Sequence, residues 1–231
     1  MKISCIILAR AGSKGIPKKN IVDFCGKPLI SWTILQALEA KEVHDVWVSS
    51  DSDEILAVAK HYGANTIIRP KRISGDYEPS ESAWLHAIDY IKKKSGYPID
   101  YVLAPQVTSP LRHASDFSNA IIQIKANGYD SLLSVAEIED FFIWKKEKGK
   151  NPESVNYDFK DRQHRQKIKK KYLENGSFYL FKPQVLINKK NRLGGDISLF
   201  IMDKYKMFQI DSFEDIKLAS VIMKGFNLNK P

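Results

Sequence analysis

The sequence is poor in cysteine and contains no long apolar run. Its 231 residues include two cysteines, Cys5 and Cys25, and this pair supplies neither a disulfide framework nor the ligand spacing of a metal site. No stretch approaches the roughly 20 apolar residues that span a bilayer. The opening run MKISCIILAR is too short for a signal peptide and is interrupted by Arg10. We therefore expect a cytoplasmic protein with no membrane partner.

Two common phosphate-binding motifs are missing as well. The chain contains neither G-x-x-x-x-G-K-[ST] nor G-x-G-x-x-G, and it shows no repeats. It has 36 Lys and Arg against 27 Asp and Glu, which gives a net charge of +9. Such an excess of positive charge favours anionic partners, namely nucleotides, acidic sugars, nucleic acid or membrane surfaces.

Segments of strand and helix character alternate along most of the chain. The predicted strands are 3–9, 46–49, 66–68, 101–104, 131–136, 176–181 and 207–210, and the predicted helices start at Pro28 or cover 53–62, 81–93, 116–126 and 213–224. This alternation predicts an α/β fold with a doubly wound, mainly parallel sheet. Ligands of such folds bind at the carboxyl ends of the strands, and Arg10, Asp51, Arg69 and Gln106 fall at predicted strand ends.

The alternation breaks between residues 138 and 175. This segment contains FFIW, KKEKGKNPE and DRQHRQKIKKK and has no clear helical period. We predict that it is an inserted arm, and that residues 1–137 and 176–231 form one α/β domain.

The first predicted strand runs into the loop RAGSKGIPKKN, residues 10–20. Gly12 and Gly15 allow tight turns and let backbone amides approach a ligand closely. The lysines of the loop add positive charge, and Arg10 can donate a fork of hydrogen bonds to phosphate oxygens. This chemistry suits a triphosphate, although a solvated basic loop has the same composition.

This loop resembles the first signature of the acylneuraminate cytidylyltransferases, a family that activates acidic sugars as CMP conjugates. The pattern L-A-R-x-x-S-K-G-x-x-x-K-N is matched at Leu8, Ala9, Arg10, Ser13, Lys14, Gly15, Lys19 and Asn20. Four later stretches resemble the family in the same order, namely RPKRISGDYEPSESA, PQVTSPLR, RQKIKKKYLENGSFY and IDSFEDI. The resemblance covers about the whole chain, and five ordered matches are far more specific than one.

The resemblance implies a Rossmann-like nucleotide-diphospho-sugar transferase fold and a Mg²⁺-dependent reaction. CTP and an acidic nine-carbon 2-keto sugar resembling N-acetylneuraminate would give a CMP-sugar and pyrophosphate. Legionaminate, pseudaminate and 3-deoxy-octulosonate are alternative substrates, and the SKG of the first loop is less typical of the pseudaminate group. The resemblance also implies a homodimer.

The resemblance assigns roles to individual residues. Expected catalytic residues are Arg10, Lys19 and Asp211, and Asp211 is also the expected Mg²⁺ ligand. Expected nucleotide contacts are Leu8, Ala9, Arg10, Gly12, Ser13, Lys14, Asn20, Arg69 and Ser80. Expected sugar contacts are Gln106, Arg165, Asn175 and Tyr179, with Arg165 as a bidentate clamp on the carboxylate. An alternative for Arg69 is a surface ion pair.

Three further features of the sequence bear on these roles. The family's D-I-D is Gln209–Ile210–Asp211 in this chain, which removes one carboxylate but leaves a single Mg²⁺ at Asp211 possible. Asp215 is expected in the first turn of the last helix, where the helix dipole favours a negative charge. An alternative for Thr108–Arg112 is a structural Ser-Pro turn that starts a helix, with Arg112 pairing locally, and this interpretation is preferred for Pro110 and Leu111.

The arm allows two interpretations of FFIW. The family's dimerisation arm lies in this region, so FFIW is expected at a subunit interface or as a sugar-site wall supplied across the dimer; the alternative is packing on the same subunit's sheet. Six of the ten residues 162–171 are Lys or Arg, but no interleaved aromatics are present to stack bases, so no nucleic-acid partner is expected. A competing hypothesis is a non-catalytic nucleotide- or RNA-binding protein on the same fold, supported only by Gln209.

Overall fold

The structure is a computed structural model that describes residues 1–139, 142–167 and 169–229, with the backbone but not the side chain of Arg165. Within these ranges the strands are β1 (Ile3–Leu8), β2 (Asp23–Phe24), β3 (Lys27–Pro28), β4 (Asp45–Ser50), β5 (Asn65–Ile68), β6 (Tyr101–Pro105), β7 (Ser131–Ile138), β8 (Trp144–Lys145), β9 (Glu153–Ser154), β10 (Lys171–Phe181) and β11 (Ile197–Met202). The α-helices are α1 (Leu29–Glu39), α2 (Asp53–His61), α3 (Ser80–Ser95), α4 (Ala114–Asn127), α5 (Pro183–Lys189) and α6 (Phe213–Gly225).

A seven-stranded sheet forms the centre of the molecule, in the order β11-β7-β10-β6-β1-β4-β5. All of its strands are parallel except β10, which runs antiparallel to β6 and β7. Ile3, Cys5, Ile6 and Ile7 of β1 are fully buried, because a parallel strand with helices on both faces has no solvent-exposed side. The predicted α/β fold with a mainly parallel sheet is confirmed.

Two apolar clusters cover the two faces of this sheet. Helices α1, α2, α4 and α6 contribute to one cluster, which includes Ile34, Phe117 and Met223. Helices α3 and α5 contribute to the other, with Trp84 and Leu186. Since helices pack on both faces, the sheet is doubly wound, and its loops are gathered at the two ends of the strands.

Local sequence signals set several helix ends. Ser52 caps α2 by accepting a hydrogen bond from Ile55 N, and Gly128 ends α4 in the left-handed conformation. Ser212 and Asp215 form a capping box at the start of α6. Hydrogen bonds from the backbone amides of Asp211 and Ser212 hold the pKa of Asp215 below its usual value, so the prediction for this residue is confirmed.

The sequence prediction was wrong for the part of the chain that precedes the last helix, residues 183–210. The predicted strand 207–210 is not part of the sheet; Ile210 N donates to Thr108 O in a loop contact. The edge strand is instead β11, and α5 precedes it. The helix α5 was missed because it is only seven residues long. The strand β11 was missed because an edge strand carries little periodic signal.

The arm is built around a two-stranded hairpin, β8–β9. Phe142 packs against Tyr157 with ring centroids 4.2 Å apart, and Trp144 packs against Phe159 at 5.3 Å. In the described part of FFIW these aromatic rings thus contact the arm itself, while Phe141 lies outside the described residues. Lys171–Glu174 of β10 already pair with β7, so sheet pairing begins before the predicted boundary at residue 176. The role of the arm in a dimer stays a prediction.

No helix formed by the described residues is both long enough and apolar enough to cross a bilayer.

Candidate functional site

The loops after β1, β5 and β6 meet at the carboxyl ends of these strands and enclose an open cavity of about 600 Å³. Its volume lies within the range of small-molecule sites. All the predicted nucleotide contacts except Ala9 line this cavity; they are Leu8, Arg10, Gly12, Ser13, Lys14, Asn20, Arg69 and Ser80. Lys19 and Asp211, two predicted catalytic residues, line it as well. Ala9 is buried, and its amide donates to Ser49 O at 3.0 Å.

Two hydrogen bonds and a close backbone approach at Gly15 position the first loop beside the cavity. Ala11 N donates to Asp51 Oδ1 at 2.9 Å, and the buried Asn20 donates from Nδ2 to Arg10 O at 2.9 Å. A Cβ at Gly15 would lie 2.4 Å from the carbonyl oxygen of Asp211. Glycine at this position therefore lets the loop approach the segment that carries Asp211.

Lys19 and Asp211 form an ion pair at the cavity wall. Lys19 Nζ donates to Asp211 Oδ1 at 2.8 Å and to Ile210 O at 3.2 Å. The Lys19 side chain is 13% exposed, whereas that of Asp211 is 73% exposed. The ammonium group is thus held in place with little freedom, and the carboxylate still has room to bind a further cation. Lys18, the preceding lysine, instead pairs with Glu54 of α2.

Arg69 is buried at the cavity wall, with 6% of its surface exposed. The surface ion pair considered for it is therefore wrong. Arg69 Nη2 lies 3.9 Å from Asp51 Oδ1, which is too far for a hydrogen bond. Its Nε and Nη2 have no hydrogen-bond partner among the described residues. Burial lowers the pKa of this guanidinium, and buried donors of this kind are normally satisfied by a ligand or water.

Asp76 is a cavity residue to which the sequence analysis assigned no role. Its carboxylate accepts Arg10 Nη1 at 2.7 Å and Lys14 Nζ at 3.0 Å. A hydrogen bond from Lys14, together with the charges of Lys14 and Arg10, holds the pKa of Asp76 below its usual value. The stretch RISGDYEPS was matched to the family, but only the structure shows that its aspartate forms ion pairs with both Arg10 and Lys14, which are expected to bind phosphate.

Replacing Asp76 by asparagine is expected to tighten metal-free CTP binding about three- to tenfold, because Arg10 and Lys14 then lose a competing anion. The gain should shrink at high salt, since the exposed charges are screened. Isothermal titration calorimetry at low and high ionic strength measures both effects. Glu78, another acidic residue lining the cavity, provides the matched control Glu78→Gln. Weaker CTP binding by Asp76→Asn would contradict this role.

The predicted sugar contacts are not among the described residues that line the cavity; Asn175 and Tyr179 lie on β10, and Gln106 directly follows β6. Asn175 is buried, and its Oδ1 accepts from Ser134 Oγ at 2.7 Å and from Ser177 N at 3.1 Å. The ring of Tyr179 is also buried, and its hydroxyl donates to Glu174. Gln106 is partly exposed, and its backbone amide donates to Ser177 O at 3.0 Å. Gln106 is thus the predicted sugar contact with the most accessible side chain of these three.

Gly176 has a left-handed backbone, with φ of +62°. A Cβ there would lie 2.6 Å from Gln209 Nε2, and this amide donates to Asn175 O at 3.0 Å. Glycine therefore allows the side chain of Gln209 to lie directly over the strand, as expected for a close approach.

Arg112 has a structural role, but most of its hydrogen bonds reach residues remote in sequence rather than local ones. Its guanidinium is fully buried and donates to Gln36 Oε1 at 2.9 Å, Ser177 O at 2.7 Å and Thr33 Oγ1 at 2.6 Å. A fourth bond reaches Gln106 O at 3.1 Å. Burial lowers the pKa of Arg112 to about 9, which leaves the group charged at neutral pH. Arg112 thus links α1 to the middle of β10 and to the residue that follows β6.

Asp211, the expected Mg²⁺ ligand, lines the cavity with an exposed carboxylate. Within the part of the chain that the structure describes, no group of three His, Cys, Asp or Glu side chains could hold a metal unaided. A Mg²⁺ ion that arrives with a nucleotide needs only one or two protein carboxylates, because phosphate oxygens and water complete its coordination. The exposed carboxylate of Asp211 fits this requirement, and the Mg²⁺ site stays a prediction.

The side chain of Arg165, the predicted clamp for the sugar carboxylate, lies outside what the structure describes.

Comparisons with known proteins agree with this geometry. A family model described as cytidylyltransferase matches residues 4–221. The pseudaminic acid cytidylyltransferase of Campylobacter jejuni serotype O:23/36 is 31% identical over 231 residues, covering 97% of each chain. The N-acylneuraminate cytidylyltransferase A of Danio rerio is 38% identical over 189 residues, which are 80% of this chain and 42% of that protein.

Solved structures show the same fold at low sequence identity. A CMP:2-keto-3-deoxy-manno-octonic acid synthetase complexed with CTP has a TM-score of 0.72 and 15% identity, and the match covers 98% of this chain and 100% of that one. A 4-diphosphocytidyl-2C-methyl-D-erythritol synthase has a TM-score of 0.69 and 10% identity, with coverage of 96% and 99%.

Proposed function

The chain belongs to the cytidylyltransferase family, and from this premise we propose that it transfers the cytidylyl group of CTP to an acidic nine-carbon 2-keto sugar. The observation that carries the proposal is the cavity itself, which is lined by four basic side chains, Arg10, Lys14, Lys19 and Arg69. Three of them pair with carboxylates at 3.0 Å or less, whereas Arg69 lies 3.9 Å from Asp51 and keeps buried Nε and Nη2 donors without hydrogen-bond partners among the described residues.

Arg69 suits the base of the nucleotide. Cytosine presents a carbonyl oxygen and a ring nitrogen as adjacent acceptors, and the unpaired Nε and Nη2 of Arg69 are two adjacent donors. Ser80, which opens α3, lines the same cavity and adds a hydroxyl that can donate or accept. A base bound here leaves the first loop to the phosphates.

Arg10, Lys14 and Lys19 suit the triphosphate. In the reaction, the anomeric hydroxyl of the sugar attacks the α-phosphorus and gives its proton to water, the bond between this phosphorus and the α,β-bridging oxygen breaks, and pyrophosphate leaves. Charge accumulates on the phosphoryl and leaving oxygens, so fixed cations at the phosphates lower the barrier. Lys19 is the most firmly held of the three, because its ammonium group is fixed by Asp211 and Ile210.

Asp211 would hold a Mg²⁺ ion together with the triphosphate. When bound, the ion would supply additional positive charge to the pyrophosphate that leaves. Gln209 replaces the family's other carboxylate, and its amide nitrogen is engaged by Asn175 O. This supports one protein carboxylate at the metal rather than two.

The sugar is the less determined part of the proposal. The relatives include a pseudaminic acid enzyme that matches over the full length and an N-acylneuraminate enzyme of higher identity over a shorter stretch. The similarity to the pseudaminic acid enzyme keeps pseudaminate beside N-acetylneuraminate as a candidate, despite the SKG of the first loop. The proposal also includes a homodimer and a cytoplasmic location. It further includes contacts to the sugar from Gln106, Asn175, Tyr179 and Arg165.

Pyrophosphate release tests the reaction and the substrate together. The enzyme would be assayed with CTP and Mg²⁺ against N-acetylneuraminate, pseudaminate, legionaminate, 3-deoxy-octulosonate and no sugar, with Mg²⁺ withheld in a parallel series. Release with one of the nine-carbon sugars alone is expected. CTP binding without release for any sugar would instead favour the non-catalytic nucleotide-binding hypothesis.

Replacing Arg165 by alanine is expected to raise KM for the sugar about tenfold or more, with a small change in KM for CTP, because a guanidinium fork binds a carboxylate in two places. Steady-state kinetics with each substrate varied in turn measures the two constants. Lys167→Ala removes a neighbouring exposed cation and serves as the control. Equal increases in both KM values would refute a carboxylate clamp.

A further inference from the structure

The N-terminus of α3 faces the cavity. Pro79, Ser80 and Ala83 all line it, and the N-cap residue Pro79 provides no side-chain hydrogen bond to the helix. The aligned peptide dipoles of a sixteen-residue helix place partial positive charge at this end, which favours an anionic ligand.

Glu81, in the first turn of the same helix, has the opposite effect. It follows Ser80 directly and carries a full negative charge, and its side chain is only 16% exposed. Water therefore screens this charge weakly. Left unpaired, it would offset the positive end of α3 and repel an anionic ligand in the cavity.

Arg192 pairs with this carboxylate. Its Nη1 donates to Glu81 Oε1 at 2.8 Å. The guanidinium carbon lies 4.3 Å from the ring centroid of Tyr179 and 5.6 Å from that of Trp84. Two aromatic rings and an ion pair thus hold the guanidinium in one position. Arg192 lies between α5 and β11, in a segment for which the sequence analysis found no motif.

We propose that Arg192 is a positioning residue for nucleotide binding, which neutralises Glu81 so that the N-terminus of α3 favours the anionic ligand in the cavity. The inference rests on the proposed function, because it takes CTP as that ligand. Arg192 acts through Glu81, and in the described part of the chain it does not itself line the cavity. The effect is electrostatic, so it depends on the charge of the ligand.

A double-mutant cycle of charge-neutralising substitutions tests the inference by calorimetric titration of the full-length protein with CTP. Arg192→Gln should raise Kd for CTP about five- to tenfold, because Glu81 is then unpaired. Glu81→Gln should leave Kd unchanged or lower it slightly, and the double variant should match Glu81→Gln within about twofold. Arg192→Lys, which keeps the charge, should stay close to the wild type.

Cytidine, which carries no phosphate, distinguishes an electrostatic role from a structural one. Its affinity should be the same in the wild type and in Arg192→Gln, whereas a displaced helix would weaken both ligands. An equal loss of CTP affinity in Arg192→Gln and in the double variant would overturn the inference, as would an unchanged Kd in Arg192→Gln. If that variant does not fold, a tenfold loss in Arg192→Lys would overturn it as well.

The same titrations separate this inference from the proposed function. A wild-type protein that does not bind CTP would contradict the proposed function and the inference with it. CTP binding by the wild type, with no rescue by Glu81→Gln, would contradict the inference alone.

Discussion

Replacing Lys19 by alanine is expected to lower kcat by about two to three orders of magnitude, the usual effect of removing one fixed group that stabilises charge in a transition state. Its ammonium group is held 2.8 Å from Asp211 and 3.2 Å from Ile210 O at the cavity wall. The position is therefore set before a nucleotide binds, and little reorganisation accompanies the reaction. Pre-steady-state measurement of pyrophosphate release reports the change in the chemical step.

Stability should change little in this variant. The Asp211 side chain is largely exposed, so water can solvate its carboxylate once the lysine is gone, and partly exposed ion pairs contribute about 1 kcal/mol or less. Lys18→Ala is the matched control, because this neighbouring lysine pairs with Glu54 outside the cavity. Turnover within about threefold of the wild type in Lys19→Ala would remove Lys19 from the catalytic group and leave it only the role of fastening the loop.

Replacing Arg112 by methionine is expected to destabilise the protein by at least about 3 kcal/mol, because several buried acceptors lose their donor at once. Gln36 Oε1, Thr33 Oγ1 and Ser177 Oγ each accept from its guanidinium. Each buried acceptor left unpaired costs about 1–3 kcal/mol. Since a typical domain is stable by only about 5–15 kcal/mol, this one change would remove a large fraction of the total.

Urea unfolding monitored by tryptophan fluorescence and by circular dichroism measures this loss. Arg72→Met, at an exposed arginine, is the control and should stay within about 0.5 kcal/mol of the wild type. Arg112→Lys keeps the charge but offers fewer donors in a different geometry, so an intermediate loss is expected. Equal stability of Arg112→Met and the wild type would show that the surrounding acceptors find other partners.

The fold was predictable because its signals are local. The fully apolar segment of β1 indicates a strand buried on both faces, and Ser212 with Asp215 marks the start of α6 within four residues. The α5–β11 region was not predictable in this way, since a short helix and an edge strand carry little periodic signal. The resemblance of five ordered motifs also indicated the family, because it depends only on residues and their order.

The sequence by itself determined which residue types meet at the strand ends, and hence a cationic nucleotide site in this α/β fold. Only the tertiary structure decided how those charges are paired. Asp76 forms ion pairs with Arg10 and Lys14. Arg192 donates to Glu81, which is 111 positions away in the sequence. Pairings of this kind depend on distances of a few ångströms between segments remote in sequence, since charge–charge energies fall with separation and burial changes their strength. No local pattern in the chain encodes such distances.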